Sequence, residues 1–589
     1  MSWIASNLAP IMFVGLLFFL LTGFPVAFGL AATGMVFGWI AVELALVPAQ
    51  FFSALPLRLY GIMSNDVLLA IPFFTFMGLI LERSRMAEDL LETIGQVFGP
   101  MRGGLAIAVV IVGAMLAATT GVVAASVIAM GLISLPIMLR YGYNRPLAAG
   151  VITASGTLAQ IIPPSIVLIV IADQLGQSVG DMYRAAFIPA FALVGIYMIA
   201  MIVVALVRPK WAPALPPEAL IYHEANGNSG HRSLLVLTIV SIFVGGLVYD
   251  FYPQIKLLLG GDPDFPPPMD EKIVMSLAAG IGFAWVAALI DRAVGANLLS
   301  RLARQVTFVL IPPLLLVFLV LGTIFLGIAT PTEGGAMGAS GALVMAIARQ
   351  RLTVSLLKQA LDSSMRLSVF VLFVLIGSTI FALTFQAING PDWVKALFAA
   401  LPGGELGFLL FVNALIFVLG FFLDFFEIAF ILLPLLLPVL KEMEINLVWF
   451  GVMVAMNMQT SFLTPPFGFA LFYLRSVAPK KDYDDVVTKQ RIRAFSTADI
   501  YRGSLTFVVL QIIMVAAILW KPEIVLMGLG EQKVLDVENV DLNITPIEEE
   551  LEAPPSFGDE APSMPGASPA PALPGTPDAA PPLPAPPAN

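Results

Sequence analysis

Long, mostly apolar runs recur along this chain at 11–42, 66–81, 104–139, 147–172, 183–206, 234–249, 273–290, 307–348, 366–386, 405–440, 447–474 and 503–520. A membrane span needs about 20 such residues, so several of these runs can hold two spans or a re-entrant hairpin. Residues 43–65 read as a short loop with few charges. From 86 to 103, Leu90, Leu91, Ile94 and Phe98 recur at helical spacing among Glu88, Asp89 and Glu92, which predicts a helix along the interface or an amphipathic connector.

Polar breaks interrupt the apolar runs. In Thr153-Ala-Ser-Gly-Thr-Leu-Ala-Gln-Ile-Ile-Pro-Pro-Ser-Ile166, Pro163 and Pro164 remove two amide donors, so a helix starting near Leu147 is expected to break there. Adding 302 to these numbers leads to Pro465 and Pro466 in Asn457-Met-Gln-Thr-Ser-Phe-Leu-Thr-Pro-Pro-Phe-Gly468, and takes Pro136 to Pro438. Two features recurring at one offset predict two homologous halves. Upstream the match loosens, with Pro25 against Pro331 at an offset of 306.

Composition confirms the membrane class: 59% of the 589 residues are hydrophobic and 12% charged, with mean hydropathy +0.92. The first run lacks a basic leader and continues past signal-peptide length, so no cleavable signal peptide is expected. The absence of Cys excludes disulfides and thiolate chemistry, and the two His, His223 and His231, both fall in a polar loop. The net charge of -10 resides in the tail, where residues 531–589 carry eleven acids and one Lys. With 14 Pro between 546 and 587, this segment is expected to be disordered.

Equivalent loops of the two halves carry opposite charge bias. Arg140 and Arg145 follow Pro136, whereas Lys441, Glu442 and Glu444 follow Pro438; the loop after the first Pro-Pro pair holds Asp173, Asp181 and Arg184, whereas 475–502 holds seven Lys/Arg. By the positive-inside rule the halves are inverted repeats. The expected cytoplasmic segments are 139–146, 207–233, 291–306, 349–366 and 475–502, with 250–272, including Asp262, Asp264, Asp270 and Glu271, and the tail outside. The expected fold is an all-α polytopic membrane protein of inverted repeats, with about twelve transmembrane helices plus two re-entrant helical hairpins. Its parts are a first repeat at 1–205 (hairpin 104–139, broken helix 147–172), connecting segments at 206–306, a second repeat at 307–520 (hairpin 405–440, broken helix 447–474) and the tail from 521.

The candidate site residues lie at the breaks. Thr119, Thr120 and Gly121 interrupt the first hairpin; Thr153, Ser155, Gly156 and Thr157, with the carbonyls of Ala159 and Ile162, offer a hard cation such as sodium neutral oxygen ligands. Asn457, Gln459, Thr460, Ser461, Thr464 and Gly468 repeat that offer. The bland alternative is a kinked helix whose hydroxyls bond back to its own carbonyls. Asp424 and Glu427, three apart at the second hairpin's break, mark an ion or solute route or else a hydrated tip. Glu333 after Pro331 reads as a similar carboxylate at a further break.

Taken together, Thr120-Gly121 through Pro136, Ile161-Ile-Pro-Pro-Ser165, Gly327-Ile-Ala-Thr-Pro-Thr-Glu333 and Leu463-Thr-Pro-Pro-Phe-Gly468 resemble the large membrane subunit of tripartite ATP-independent periplasmic (TRAP) transporters, the DctM-like family. The resemblance implies a sodium-coupled elevator in the bacterial inner membrane that imports an organic acid. Its implied partners are a small four-helix (DctQ-like) membrane subunit and a periplasmic substrate-binding protein. Neither an organic cofactor nor nucleic acid is expected. One sodium site is carried onto Thr120, Gly121, Ser155, Ala159, Ile162 and Pro164, and a second onto Thr330, Thr332, Ser461, Thr464 and Pro466. Thr119, Thr157, Asp424, Glu427, Asn457 and Gly468 are the candidate solute contacts. The chain departs from the family at the first tip, where Thr120-Gly-Val-Val123 replaces the usual Ser-Gly-Ser-Ser, and at the second, Asp424-Phe-Phe-Glu427. Rival readings are a stand-alone sodium- or proton-coupled symporter and an intramembrane enzyme using Asp424 and Glu427. No Cys, membrane His or metal motif supports the enzyme.

Overall fold

The structure, a computed structural model, describes residues 2–222, 230–258, 267, 269–295, 298–399, 401–485 and 487–529. His223, residues 259–266 and 268 of the 250–272 segment, with Asp262 and Asp264, and the Pro-rich tail beyond 529 lie outside the described residues. The described chain is helical apart from short connections and one two-residue strand pair, Tyr483–Asp484 with Arg491–Ile492.

Both hairpins and both broken helices form where the pattern predicts them. Gly104–Thr120 and Val123–Arg140 make the first hairpin, turning at Gly121 in the left-handed region (φ 60°). Gly404–Leu419 and Phe425–Glu442 make the second. The first broken helix runs Arg145–Thr157, loosens into a 3-10 turn, and resumes at Ile166–Leu175; the second runs Leu447–Leu463 and resumes at Phe469–Val477. Pro163-Pro164 and Pro465-Pro466 each contain a cis peptide.

The two broken helices run in opposite directions. Arg145, at the start of the first, donates to the Arg493 and Ala494 carbonyls, and Arg475, near the end of the second, donates to the adjacent Phe495 carbonyl at 2.6 Å. The halves also interlock. Ile166–Leu175 packs against the second hairpin's Phe425–Glu442, and Phe469–Val477 against the first hairpin's Val123–Arg140. At the centre, Gln459 Nε2 lies 3.4 Å from Thr157 Oγ1, two residues 302 apart. Equivalent positions touch each other only where the axis relating the halves passes between them.

A second layer repeats the exchange. Val26–Glu43 packs on Val354–Ala387, and Pro331–Ala348 on Ala70–Arg83. These crossings are close because they meet at glycine: a Cβ on Gly34 would sit 2.8 Å from the Ile380 backbone, and one on Gly377 2.4 Å from the Ala27 carbonyl.

Polar contacts sort the loops into two faces. On one, Arg140 pairs with Asp485 at 3.0 Å and Arg351 with Asp89 at 2.9 Å. On the other, Asn65 donates to Asp173 at 2.7 Å, Thr332 to the Asp66 carbonyl at 2.6 Å, and Arg184 to the Phe325 carbonyl. The first set contains the basic segments expected in the cytoplasm.

Among the described residues eight unbroken helices are long and apolar enough to span, or nine counting the bent pair Gln50–Met63 and Asp66–Arg83 (47°). One of the eight, Val123–Arg140, is a hairpin arm, and the two broken helices fall outside this count because neither half of either is long enough alone. Met86–Phe98 is the amphipathic helix expected, and its apolar face packs on Gly104–Thr120 and Arg301–Phe325. Two expectations are corrected. The supposed loop 43–65 contains Leu55–Met63, a helix with no buried residue. The tail does not start at 521: Val525 is fully buried, and Gly528 lies close against the Arg184 carbonyl.

Candidate functional site

Each hairpin tip meets the broken helix of its own half. A Cβ on Gly121 would lie 3.1 Å from Ile166, the first residue after the first break, and one on Gly113 2.4 Å from Ser155 Cβ. In the second half a Cβ on Gly420 would lie 2.1 Å from Ser461 Oγ, and Asn457 donates to the Asn413 carbonyl at 2.7 Å. The helix Ala70–Arg83 touches the first tip too, with Gly78 facing Thr120 Cα.

The hydroxyls are held as the bland alternative expects. Thr119 and Thr120 donate to Leu116 O, Thr153 to Ala149 O, Thr157 to Ala154 O, Thr460 to Met456 O, Ser461 to Met458 O and Thr464 to Thr460 O, all at 2.8–3.1 Å. Back-bonding uses each hydroxyl's proton and leaves oxygen lone pairs able to face a cation. Ser155 differs: its buried Oγ has no hydrogen-bond partner in the protein. Thr120 Oγ1 lies 2.7 Å from Ser126 Oγ, so Ser126 supplies a tip hydroxyl that Val122 and Val123 lack. The other residues carried onto the first site, Gly121, Ala159, Ile162 and Pro164, are all buried.

Backbone groups freed by the breaks are met by side chains, as hydrocarbon requires. Ser165 Oγ donates to Gln160 O at 2.7 Å, Tyr183 to Ser165 O at 3.3 Å, and Tyr501 to Pro466 O at 3.2 Å. Gly468 admits no side chain, since a Cβ there would lie 2.5 Å from Phe462 O. The breaks differ in access: residues 158–168 are buried throughout, whereas Pro466 and Phe467 are exposed, with Phe467 ringed by Phe421 and Phe422.

Two predicted carboxylate sites turn out to be helix caps. Asp424 and Glu427 form a capping box at the start of Phe425–Glu442, with Asp424 accepting from the Phe425 amide at 2.8 Å and Glu427 from the Asp424 amide at 3.0 Å. Thr330 and Glu333 form another at the start of Pro331–Ala348, and Glu333 is exposed. Thr330 and Thr332 stand at the Asp66 turn, and none of their hydrogen bonds joins them to Ser461, Thr464 or Pro466. The first hairpin's second helix has no side-chain cap; Val122 holds that position.

Sequence reasoning passed over Gln160, whose buried amide has no partner in the protein at either atom, and Asn413, whose Oδ1 is likewise bare. A lone amide inside an apolar run was the available signal. Among the described residues no group of acids, His or Cys is placed to hold a transition metal.

The family model "Tripartite ATP-independent periplasmic transporter, DctM component" matches residues 13–252 and 273–524. The C4-dicarboxylate TRAP transporter large permease protein DctM of Pseudomonas aeruginosa is 27% identical over 438 residues, covering 74% of this chain and 83% of that protein. The isethionate TRAP transporter permease protein DctMQ of Oleidesulfovibrio alaskensis is 22% identical, covering 80% of this chain and 61% of its own length. The sialic acid TRAP transporter permease protein SiaT of Haemophilus influenzae is 23% identical, covering 70% and 53%. Among solved structures, the YdaH transporter of Alcanivorax borkumensis aligns over 82% of this chain and 90% of its own at 12% identity and a TM-score of 0.47. These relatives are transporter permeases and not enzymes, and this multi-pass membrane chain belongs to the DctM component family of the TRAP transporters.

Proposed function

We propose that this chain is the permease of a sodium-coupled system in the bacterial inner membrane that imports an organic acid delivered by a periplasmic binding protein. A small four-helix subunit completes the membrane part. The observation that carries this reading is the interlocked unit of two hairpins and two antiparallel broken helices, joined at Thr157 and Gln459. Because the second half of each broken helix packs on the opposite hairpin, this unit is suited to move as one body against Val26–Glu43, Ala70–Arg83, Pro331–Ala348 and Val354–Ala387. Moving it would carry a solute across, the elevator mode.

Sodium suits the first site chemically: Ser155 Oγ, Thr120 Oγ1 and the carbonyls beside Pro163 are neutral oxygens with lone pairs available. Ser461, Thr464 and the carbonyls beside Pro465 repeat the donor set at the second. The uncapped amides after Gly121 suit a carboxylate, since a helix N-terminus attracts negative charge. The C4-dicarboxylate, isethionate and sialic acid named for the relatives are all organic anions, which supports that solute class.

The test is uptake in proteoliposomes holding this chain and the co-expressed small subunit, with binding proteins loaded with organic acids, with and without an inward sodium gradient. The expected result is uptake needing both sodium and binding protein. Proton-driven uptake without a binding protein would make the chain a stand-alone symporter and overturn the proposal.

A further inference from the structure

A cavity of about 800 Å³ opens between Met269–Val294, Arg301–Phe325 and the end of Pro331–Ala348, away from the hairpins. Arg292, Arg301, Arg304 and Arg349 line it. The acids in contact are Asp291, which pairs with Arg304 at 3.0 Å, and Asp89, 3.7 Å from Arg349 and 2.9 Å from Arg351; Glu92 lies near Tyr222 on the same wall. Arg292 has no carboxylate partner among the described residues and rests over the Phe308 ring at 5.5 Å.

The rest of the lining is apolar: Trp285, Phe308, Val309 and Pro312. Pro312 lies eleven residues into its helix from Arg301, about 16 Å deeper at 1.5 Å per residue. The cavity thus has a cationic end at the basic face and an apolar end at bilayer depth. Its neighbouring helices are the least enclosed of the candidate spans among the described residues, with 11% of the His231–Leu258 window and 22% of the Glu271–Val294 window buried within the chain.

From this we infer a binding site for an anionic phospholipid of the cytoplasmic leaflet, its phosphodiester held by the arginines and its acyl chains lying along Trp285, Phe308 and Pro312. Arginine matches phosphate oxygens in geometry as well as charge, and basic pockets between membrane helices on the cytoplasmic side suit such headgroups. A soluble phosphate would use the arginines but leave the apolar end without an occupant, which favours the lipid.

The purified full chain, delipidated in detergent, is titrated with phosphatidylglycerol, with phosphatidylcholine of the same acyl chains, and with inorganic phosphate, and bound lipid is counted by native mass spectrometry. The expected result is selective retention of phosphatidylglycerol, weakened about five-fold in Arg292→Gln and kept in Arg292→Lys, since one basic residue near the surface is worth about that factor. If Arg292→Gln does not fold, Arg301→Gln is read in the same titration. Equal binding of both lipids, undiminished binding in the Gln variants, or displacement of phosphatidylglycerol by millimolar phosphate overturns the inference.

Discussion

Replacing the carboxylates at the second hairpin tip separates their structural use from a transport use. Asp424 caps two amides, those of Phe425 and Glu427, and Glu427 returns a bond to the Asp424 amide. Losing an N-cap costs about 0.5–2 kcal/mol, and a buried amide left bare about 1–3 kcal/mol. Because Phe425 and Glu427 are buried, Asp424→Ala should fall near the top of the capping range, about 2 kcal/mol. Asn caps as well as Asp, and Gln serves at the third helical position, so Asp424→Asn, Glu427→Gln and their double variant should stay within about 0.5 kcal/mol of the parent. The assay pairs thermal unfolding in detergent, followed by tryptophan fluorescence, with uptake in proteoliposomes. If the pair is a cap, Asp424→Ala melts earlier while the double variant keeps both its midpoint and its uptake. A double variant that melts normally but does not transport would refute this, because the charge and not the bond would then be required.

Three further outcomes follow from other contacts. Gly78→Ala places a Cβ 2.5 Å from Thr120 Cα and should destabilise by about 1–3 kcal/mol, whereas Gly282→Ala, with open space around it, should be neutral or mildly stabilising; unfolding midpoints compare them. Ser155→Ala removes an oxygen that bonds nothing in the protein, so stability without sodium should hold while the sodium concentration for half-maximal uptake rises; Thr153→Val, at a back-bonded hydroxyl, should leave that concentration unchanged. Burial raises the Asp485 carboxyl, but the Thr488 amide and hydroxyl and the Arg140 guanidinium outweigh it and hold it at about 2, below its ordinary 3.8. The clamp's stabilisation is therefore present above pH 4 and lost as pH falls towards 2, so midpoints of the parent and Asp485→Asn should differ at neutral pH and converge across that window.

The repeat was legible to the residue. Shifting Val123–Arg140 by 302 gives 425–442 and shifting Ile166–Leu175 gives 468–477, within one residue of the helices observed. Proline explains part of this: Pro163-Pro164 and Pro465-Pro466 stand at the two breaks, whereas Pro136, Pro438 and Pro312-Pro313 lie inside unbroken helices. The cap at Asp424-Phe-Phe-Glu427 was also open to reading as an acid three residues before a Glu at the head of an apolar run. Attention to the cost of buried charge hid it. What pattern alone does not reveal is exchange between halves. Nothing in Val26–Glu43 says that it packs on Val354–Ala387, or that Thr157 meets Gln459, because such pairings depend on how two similar apolar surfaces are threaded. A lone amide in an apolar run marks Gln160 and Asn413, but that Gln160 and the Asn413 Oδ1 stay without partners is unreadable for the same reason: their surroundings come from several distant segments.

The sharpest consequence is that the helices following the two tips start alike, on an extended cap residue, and differ in chemistry. In the second, the first-turn amides are taken by Asp424 and Glu427; in the first, Val122 holds the cap position with β-region backbone (φ -126°, ψ 118°) and offers them nothing. An anionic solute should therefore favour the first tip, beside Thr119, Thr120 and Ser126, and be repelled from the second. Val122→Asn supplies a neutral acceptor on backbone already suited to capping and should stabilise the chain by about 1 kcal/mol. Val122→Asp supplies the same acceptor with a charge where the solute carboxylate would lie. If the solute binds there, the Asp variant should raise the KM for uptake far more than the Asn variant, at similar unfolding midpoints. An unchanged KM in Val122→Asp would place the anion elsewhere, and the difference in capping would then serve only the stability of the second hairpin.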